Sequence, residues 1–169
     1  MTTEAGTVDG GAGDDILIIG AGVTSAIGGT GYDRLYAYQA TSGVTFNDLG
    51  GNGIELAYGS SHNDVFNGSS SSVAMKMFGS NGNDILTGGS TGDLMFGGND
   101  NDTLRGNGGD DYMFGGAGSD IADYTGTNST DYTVLNIGAG NWTVIHNATG
   151  DTDQLFEIET LDFDDMDIV

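Results

Sequence analysis

The sequence predicts an all-β chain wound as a right-handed parallel β-roll, and three observations predict it. The stretch from Gly79 to Asp123 divides without remainder into five nine-residue units. Every unit opens with Gly and carries Asp at its sixth place: Asp84, Asp93, Asp102, Asp111 and Asp120. Every unit also carries an apolar residue at its eighth place: Leu86, Met95, Leu104, Met113 and Ala122.

Each part of the unit has a physical reason. Six Gly-rich residues can take the left-handed backbone angles of a tight loop without a Cβ penalty. The last three residues form a short strand, in which only the middle side chain points inward because strands alternate with period two. Two units then make one coil with a turn on each flank, and turns eighteen residues apart stack. Asp84 lies above Asp102 and Asp102 above Asp120, while Asp93 lies above Asp111 on the other flank. Carboxylates at strand spacing resist joint ionisation unless a cation separates them. Ca²⁺ suits that place, because it accepts carboxylate and carbonyl oxygens in flexible geometry at about 2.3–2.6 Å, whereas Mg²⁺ demands an octahedron and retains its waters.

Upstream, residues 1–9 are polar and are expected to be frayed. Gly10–Ile18 and Gly28–Tyr36 are full units, making Asp15 and Asp33 stacked partners. Ile19–Ile27 keeps the length but has Thr24 where Asp belongs, so its flank lacks a full site. Over 37–49 the phase slips, which reads as an insertion or a wider coil carrying Val44 and Phe46. The pattern returns at Gly50–Tyr58 with Glu55 replacing Asp, and at Gly59–Asn67 with Asp64. A second insertion near 68–78 contains Ser69–Ser72, expected as a loose loop, and then Val73, Met75 and Met77, which alternate like a strand, with both methionines filling core. If the two extra residues bulge outward, Asp64 pairs with Asp84. The roll is thus expected over 10–123.

Residues 124–169 differ in composition. Tyr132–Ile137 and Asn141–His146 read as a hairpin around Gly138-Ala139-Gly140. A solenoid needs its last coil covered, and Trp142, Val144, Ile145, Leu155, Phe156, Ile158, Leu161 and Phe163 supply the apolar mass for a C-terminal β cap.

The chain has 3 Lys plus Arg against 25 Asp plus Glu, a net charge of −22, with 32 Gly, no Pro and no Cys. Periodic placement of the acids beside apolar residues argues against the disorder such a balance otherwise implies. About five bound ions would cancel roughly ten charges, so the folded state is expected to need metal. The acidity argues against nucleic acid and anionic membrane as partners. No stretch is apolar for long enough to span a bilayer, and residues 1–13 lack the basic and apolar parts of a signal peptide. Without disulfides, bound metal is the available staple.

The unit matches the nonapeptide G-G-x-G-x-D-x-U-x, and the chain resembles the RTX, or hemolysin-type, calcium-binding domain. Leu155–Phe163 also looks like the I-E-x-L-x-F sequence that often follows such repeats. The resemblance implies several Ca²⁺ ions, about five or more, held by sixth-place carboxylates and by carbonyls of the first, third and fifth places. The implied ligands are Gly10, Ala12, Asp14 and Asp15, with Gly28, Thr30, Tyr32 and Asp33 in the next coil. Asp64 stands alone in its turn. Further on they are Gly79, Asn81, Asn83 and Asp84; Gly88, Ser90 and Asp93; Gly97, Asn99, Asn101 and Asp102; Gly106, Gly108, Asp110 and Asp111; and Gly115, Ala117, Ser119 and Asp120. Two turns depart from the pattern: Thr91 and Gly92 are reversed in one, and Asn107 and Gly109 shift a glycine in the other.

The resemblance further implies a secreted, extracellular bacterial module that folds on calcium. It would support type I secretion of a larger protein, with an upstream passenger domain and the secretion machinery as partners. The acidic then apolar end, Asp164 to Val169, fits an uncleaved export signal of that route. The alternative is a segment of an adhesin that binds polysaccharide, ice or a cell surface, but the third places form no ladder of one residue type. An enzyme is not expected: His62 and His146 read as surface residues, and solvent-facing turns give carboxylates no cleft to separate their pKa values.

Overall fold

The computed structural model describes residues 2–4, 6–20 and 23–169. In chain order the strands are β1 (Thr2–Glu4), β2 (Thr7–Ala12), β3 (Ile16–Ile18), β4 (Ser25–Thr30), β5 (Arg34–Tyr36), β6 (Thr45–Phe46), β7 (Leu56–Tyr58), β8 (Val65–Asn67), β9 (Lys76–Asn81) and β10 (Ile85–Thr87). They continue as β11 (Leu94–Asn99), β12 (Thr103–Arg105), β13 (Tyr112–Ala117), β14 (Ile121–Asp123), β15 (Tyr132–Gly138), β16 (Asn141–His146), β17 (Thr152–Phe156), β18 (Thr160–Asp162) and β19 (Asp167–Ile168). From β2 to β14 successive strands alternate between two walls, which makes the chain a parallel β-roll.

One wall is a nine-stranded sheet in the order β15-β16-β17-β13-β11-β9-β7-β5-β3. The other runs β19-β18-β14-β12-β10-β8-β6, and a separate β1-β2-β4 sheet continues it at the N-terminal end. The break between β4 and β6 falls where residues 37–44 widen the coil. Val44, Phe46 and Leu49 turn inward there, so the expected insertion is filled with core.

Register follows the middle residue of each strand. Leu17, Leu35, Ala57, Met77, Met95, Met113 and Leu155 succeed one another on the first wall. Phe46, Phe66, Leu86, Leu104, Ala122 and Leu161 do so on the second. Nearly all are wholly buried, because the space between two such close walls admits one column of side chains from each.

The cap is an added coil. β17 pairs with β13 and β18 with β14, both in parallel. β16 of the β15–β16 hairpin then adds antiparallel to β17, and β19 antiparallel to β18, so on each wall the strand next to the last coil runs against it. Trp142 is 4% exposed, and its indole N–H donates to the Ile158 carbonyl at 2.9 Å.

Two expectations differ from the structure. Within 1–9, read as frayed, Thr2–Glu4 pairs antiparallel with Thr7–Asp9, and buried Val8 stacks on Ala26; Met1 and Ala5 lie outside the described residues, as do Ala21 and Gly22 in the unit lacking Asp. The Ser-rich loop is ordered by hydrogen bonds rather than loose. Ser71 is buried, its Oγ donates to the Val73 carbonyl and accepts the Val73 N–H, and its own carbonyl accepts the Ser90 N–H. Val73 itself is exposed, and the strand begins only at Lys76, while Met75 and Met77 are buried as expected.

Candidate metal centre

The sixth-place acids form two ladders, one per flank. On the flank leading out of the nine-stranded wall, the Asp64 N–H donates to Asp84 Oδ1 at 2.7 Å, Asp84 to Asp102 at 2.8 Å, and Asp102 to Asp120 at 2.8 Å. The ladder begins with the Val44 N–H on Asp64 and ends with the Asp120 N–H on Glu159 Oε2. On the opposite flank Asp15 donates to Asp33 and Asp33 to Glu55; after a gap, Met75 donates to Asp93, Asp93 to Asp111 and Asp111 to Asp153. The stacking read from the eighteen-residue spacing is therefore present, and Asp64 joins Asp84 across twenty residues.

These bonds use one carboxylate oxygen and leave the question of the other. Oδ2 of Asp15, Asp33, Asp84, Asp102, Asp111 and Asp120 is buried with no hydrogen-bond partner. An anionic oxygen taken from water without a donor is costly, and a cation is the natural partner for it. In Asp64 and Asp93 the same oxygen is already filled, by the N–H of Ser60 and of Gly89 at 2.6 Å each.

Backbone geometry separates the two kinds of turn. The six turns with an orphaned oxygen hold left-handed residues at both their second and fourth places: Gly11 and Gly13, Gly29 and Gly31, Ser80 and Gly82, Gly98 and Asp100, Asn107 and Gly109, Gly116 and Gly118. The turns of Asp64 and Asp93 have no positive φ at either place. Their fourth residues are His62 and Thr91, and a β-branched residue such as Thr resists φ above zero. Without that twist the second-place N–H points at the carboxylate and closes it. The shifted glycine of the turn from Gly106 leaves the geometry open, because Asn107 tolerates the left-handed region.

First-place glycines line the same point. A Cβ on Gly79 would collide with Asp84 Oδ2 and stand 2.6 Å from the Gly97 carbonyl oxygen, and Gly97 relates likewise to Asp102 and to the Gly115 carbonyl. Gly10 meets Asp15 Oδ2 and the Gly28 carbonyl, and Gly88 meets Asp93 Oδ2 and the Gly106 carbonyl. Each of these four turns therefore gathers one carboxylate oxygen and one carbonyl from the next coil. Among the described residues no three acidic or histidine side chains converge, so main-chain oxygens must complete any ion's shell.

The implied third- and fifth-place ligands lie on the outer edge of the turns, where their side chains bind neighbouring coils. Oδ1 of Asp14 accepts the Tyr32 N–H, Asn83 and Asn101 accept those of Asn101 and Ser119, and Asp110 accepts that of Thr152. Asn99 donates to Asn81 at 2.6 Å, and the Thr30 carbonyl accepts the Gly13 N–H. Ala12, Ser90, Gly108 and Ala117 occupy the corresponding third places.

Burial dominates the electrostatics. It pushes Asp84 up to about 7 and Asp102 up to about 6, with neighbouring Asp charges adding to the shift, and it raises Asp93 and Asp120 as well. Asp111 and Asp153, buried against each other, are both raised for the same reason. The cap treats Asp153 differently from a repeat acid: its Oδ1 accepts the Asp111 N–H and its Oδ2 accepts the Tyr124 hydroxyl at 2.8 Å. Asp153 and Glu159, the ladder ends, lie beyond the reach of the nonapeptide pattern. Their signal in the sequence was the apolar residue two places on, Leu155 and Leu161.

Buried, paired carboxylates with unfilled oxygens, stacked in Gly-rich turns, define a parallel solenoid stapled by hard cations. The RTX calcium-binding nonapeptide repeat model matches four times, over residues 7–24, 49–72, 76–104 and 87–122, more than half of the chain. The chain belongs to that family and is a calcium-binding β-roll module. No curated protein matches it.

Proposed function

We propose that this module is a calcium-triggered folding device of a secreted protein. The observation that carries the reading is the set of six buried Asp oxygens with no donor. A fold that strands six anionic oxygens is penalised until cations enter, so folding and calcium uptake become one equilibrium. Where calcium is scarce the acidic, Gly-rich chain stays unfolded, and where calcium is millimolar even weak extracellular-class sites fill. That behaviour suits passage of an unfolded chain through type I secretion machinery, followed by folding outside the cell next to an upstream passenger domain. The ions sit between stacked turns and take sixth-place carboxylates with carbonyls of the first, third and fifth places. The role is structural, with no catalysis assigned to His62 or His146.

Calcium titration of the chelated chain, followed by far-UV circular dichroism, tests this. A cooperative gain of β signal is expected, since each coil is stabilised by its neighbours. A spectrum that chelator leaves unchanged overturns the reading.

A further inference from the structure

Two turns break the nonapeptide rule in the same way. Gly53-Ile54-Glu55 leads into β7, and Glu157-Ile158-Glu159 joins β17 to β18. In each, the first residue is left-handed, with φ of 66° at Gly53 and 54° at Glu157. The isoleucine is buried in the core, 1% exposed in one case and 0% in the other. The glutamate Oε2 accepts the N–H of the sixth-place Asp stacked on it, from Asp33 at 2.8 Å and from Asp120 at 2.8 Å. The first-residue carbonyl falls where a regular turn places its own. A Cβ on Gly28 would meet the Gly53 carbonyl and Asp33 Oδ2, and one on Gly115 would meet the Glu157 carbonyl and Asp120 Oδ2.

We infer that these two segments are abbreviated half-sites for a divalent cation. Each offers one main-chain carbonyl and one glutamate carboxylate to an ion whose other half is a nonapeptide turn, that of Asp33 or that of Asp120. The unfilled oxygens point to it: Asp33 and Asp120 are wholly buried, and the Oδ2 of each lacks any donor. In the cap three residues, 157–159, stand where a regular turn has six, whereas the corner before β7 is longer, residues 47–55, and meets the Asp33 turn through its last residues; in both the isoleucine anchors the segment in the core and Glu reaches one methylene further than Asp. One half-site belongs to the cap, beyond the last match to the repeat at residue 122. The cap then takes part in ligation on one flank, whereas on the other the Tyr124 hydroxyl fills Asp153 in place of a cation.

This inference rests on the calcium reading and has its own readout. Trp142, the only Trp of the chain, donates its indole N–H to the carbonyl of Ile158, the middle residue of the cap half-site. Terbium is therefore used in place of calcium, with its luminescence excited through the indole of the full chain. Emission sensitised by tryptophan and displaced by calcium is expected. Glu159→Gln removes that emission while the chain still takes up calcium elsewhere. Glu157→Gly, which reproduces Gly53 and keeps the carbonyl, retains it. Glu55→Gln lowers calcium uptake by a single ion without changing the emission. A chain that takes up calcium yet gives no tryptophan-sensitised emission overturns this inference alone, as does unchanged emission in Glu159→Gln. Should Glu159→Gln fail to fold, the unmodified chain decides the matter. A chain that takes up no calcium at all overturns the folding-module reading as well.

Discussion

Asp102 shows how one side chain can help and harm the same fold. Its Oδ1 holds the Asp84 N–H while its Oδ2 is buried without a donor, and burial pushes its pKa up to about 6. Asp102→Asn keeps the acceptor and removes the charge. Without calcium the variant is expected to hold its β structure to a higher pH than the parent; with calcium it is expected to need roughly tenfold more ion to fold, since ligand charge sets the affinity of such sites. Circular dichroism followed through a pH titration in chelator and through a calcium titration at neutral pH checks both signs. At Thr91 the argument runs through the backbone. A glycine there admits the left-handed fourth place, turns the Gly89 N–H away and frees Asp93 Oδ2; it also removes a buried hydroxyl that has no partner. Thr91→Gly is expected to take up one more calcium than the parent by calorimetry, and an unchanged stoichiometry would show that the fourth place does not control the turn.

At the scale of the strand, the outer side of the nine-stranded wall carries a stack of rings. Tyr36, Tyr58, Phe78, Phe96, Phe114 and Phe156 follow one another with centroids 4.4–5.0 Å apart and nearly parallel planes. Phe96→Ala breaks two of these contacts and exposes apolar wall, so the calcium-loaded chain should lose about 2–3 kcal/mol. Phe96→Leu should lose less, because it keeps most of the burial; urea midpoints in calcium distinguish the two. The inward column was legible in the sequence, because Leu86 through Ala122 recur every nine residues and each points to the one available core. The ring stack was not, because its first five members stand eighteen to twenty-two residues apart and the last lies forty-two further on, in the cap. The ladders of Asp84 and Asp111 were likewise legible from a sixth-place acid. The difference between open and closed turns was hidden, since it depends on φ at Ser80 or His62 rather than on the acid itself. Glu157-Ile158-Glu159 escaped a pattern keyed on Asp, and Gly50–Tyr58 read as an ordinary unit with Glu55 in the place of Asp, although the repeated Ile-Glu pair was visible.

Across the whole molecule, protons and calcium compete for the same buried oxygens, and that competition sets how stability depends on pH. Carboxyls such as Asp84 titrate near 3.8 when exposed, but burial in the fold moves Asp84 to about 7 and Asp102 to about 6, and raises Asp93, Asp111, Asp120 and Asp153 too. A folded chain without metal therefore binds more protons than the unfolded chain over that interval. Its stability is greatest below about pH 4 and is lost as pH rises through about 6 to 7. In saturating calcium the slope has the opposite sign, because the ion needs these groups deprotonated, and raising the pH removes its competitor. Urea midpoints measured from pH 4 to pH 8 are thus expected to fall with pH in chelator and to rise with pH in calcium. Two curves of the same slope would mean that the stacked carboxylates do not govern the fold. Opposed slopes would place the charge that decides folding in the stacked turns, whose buried carboxylate oxygens only a proton or a metal ion can neutralise.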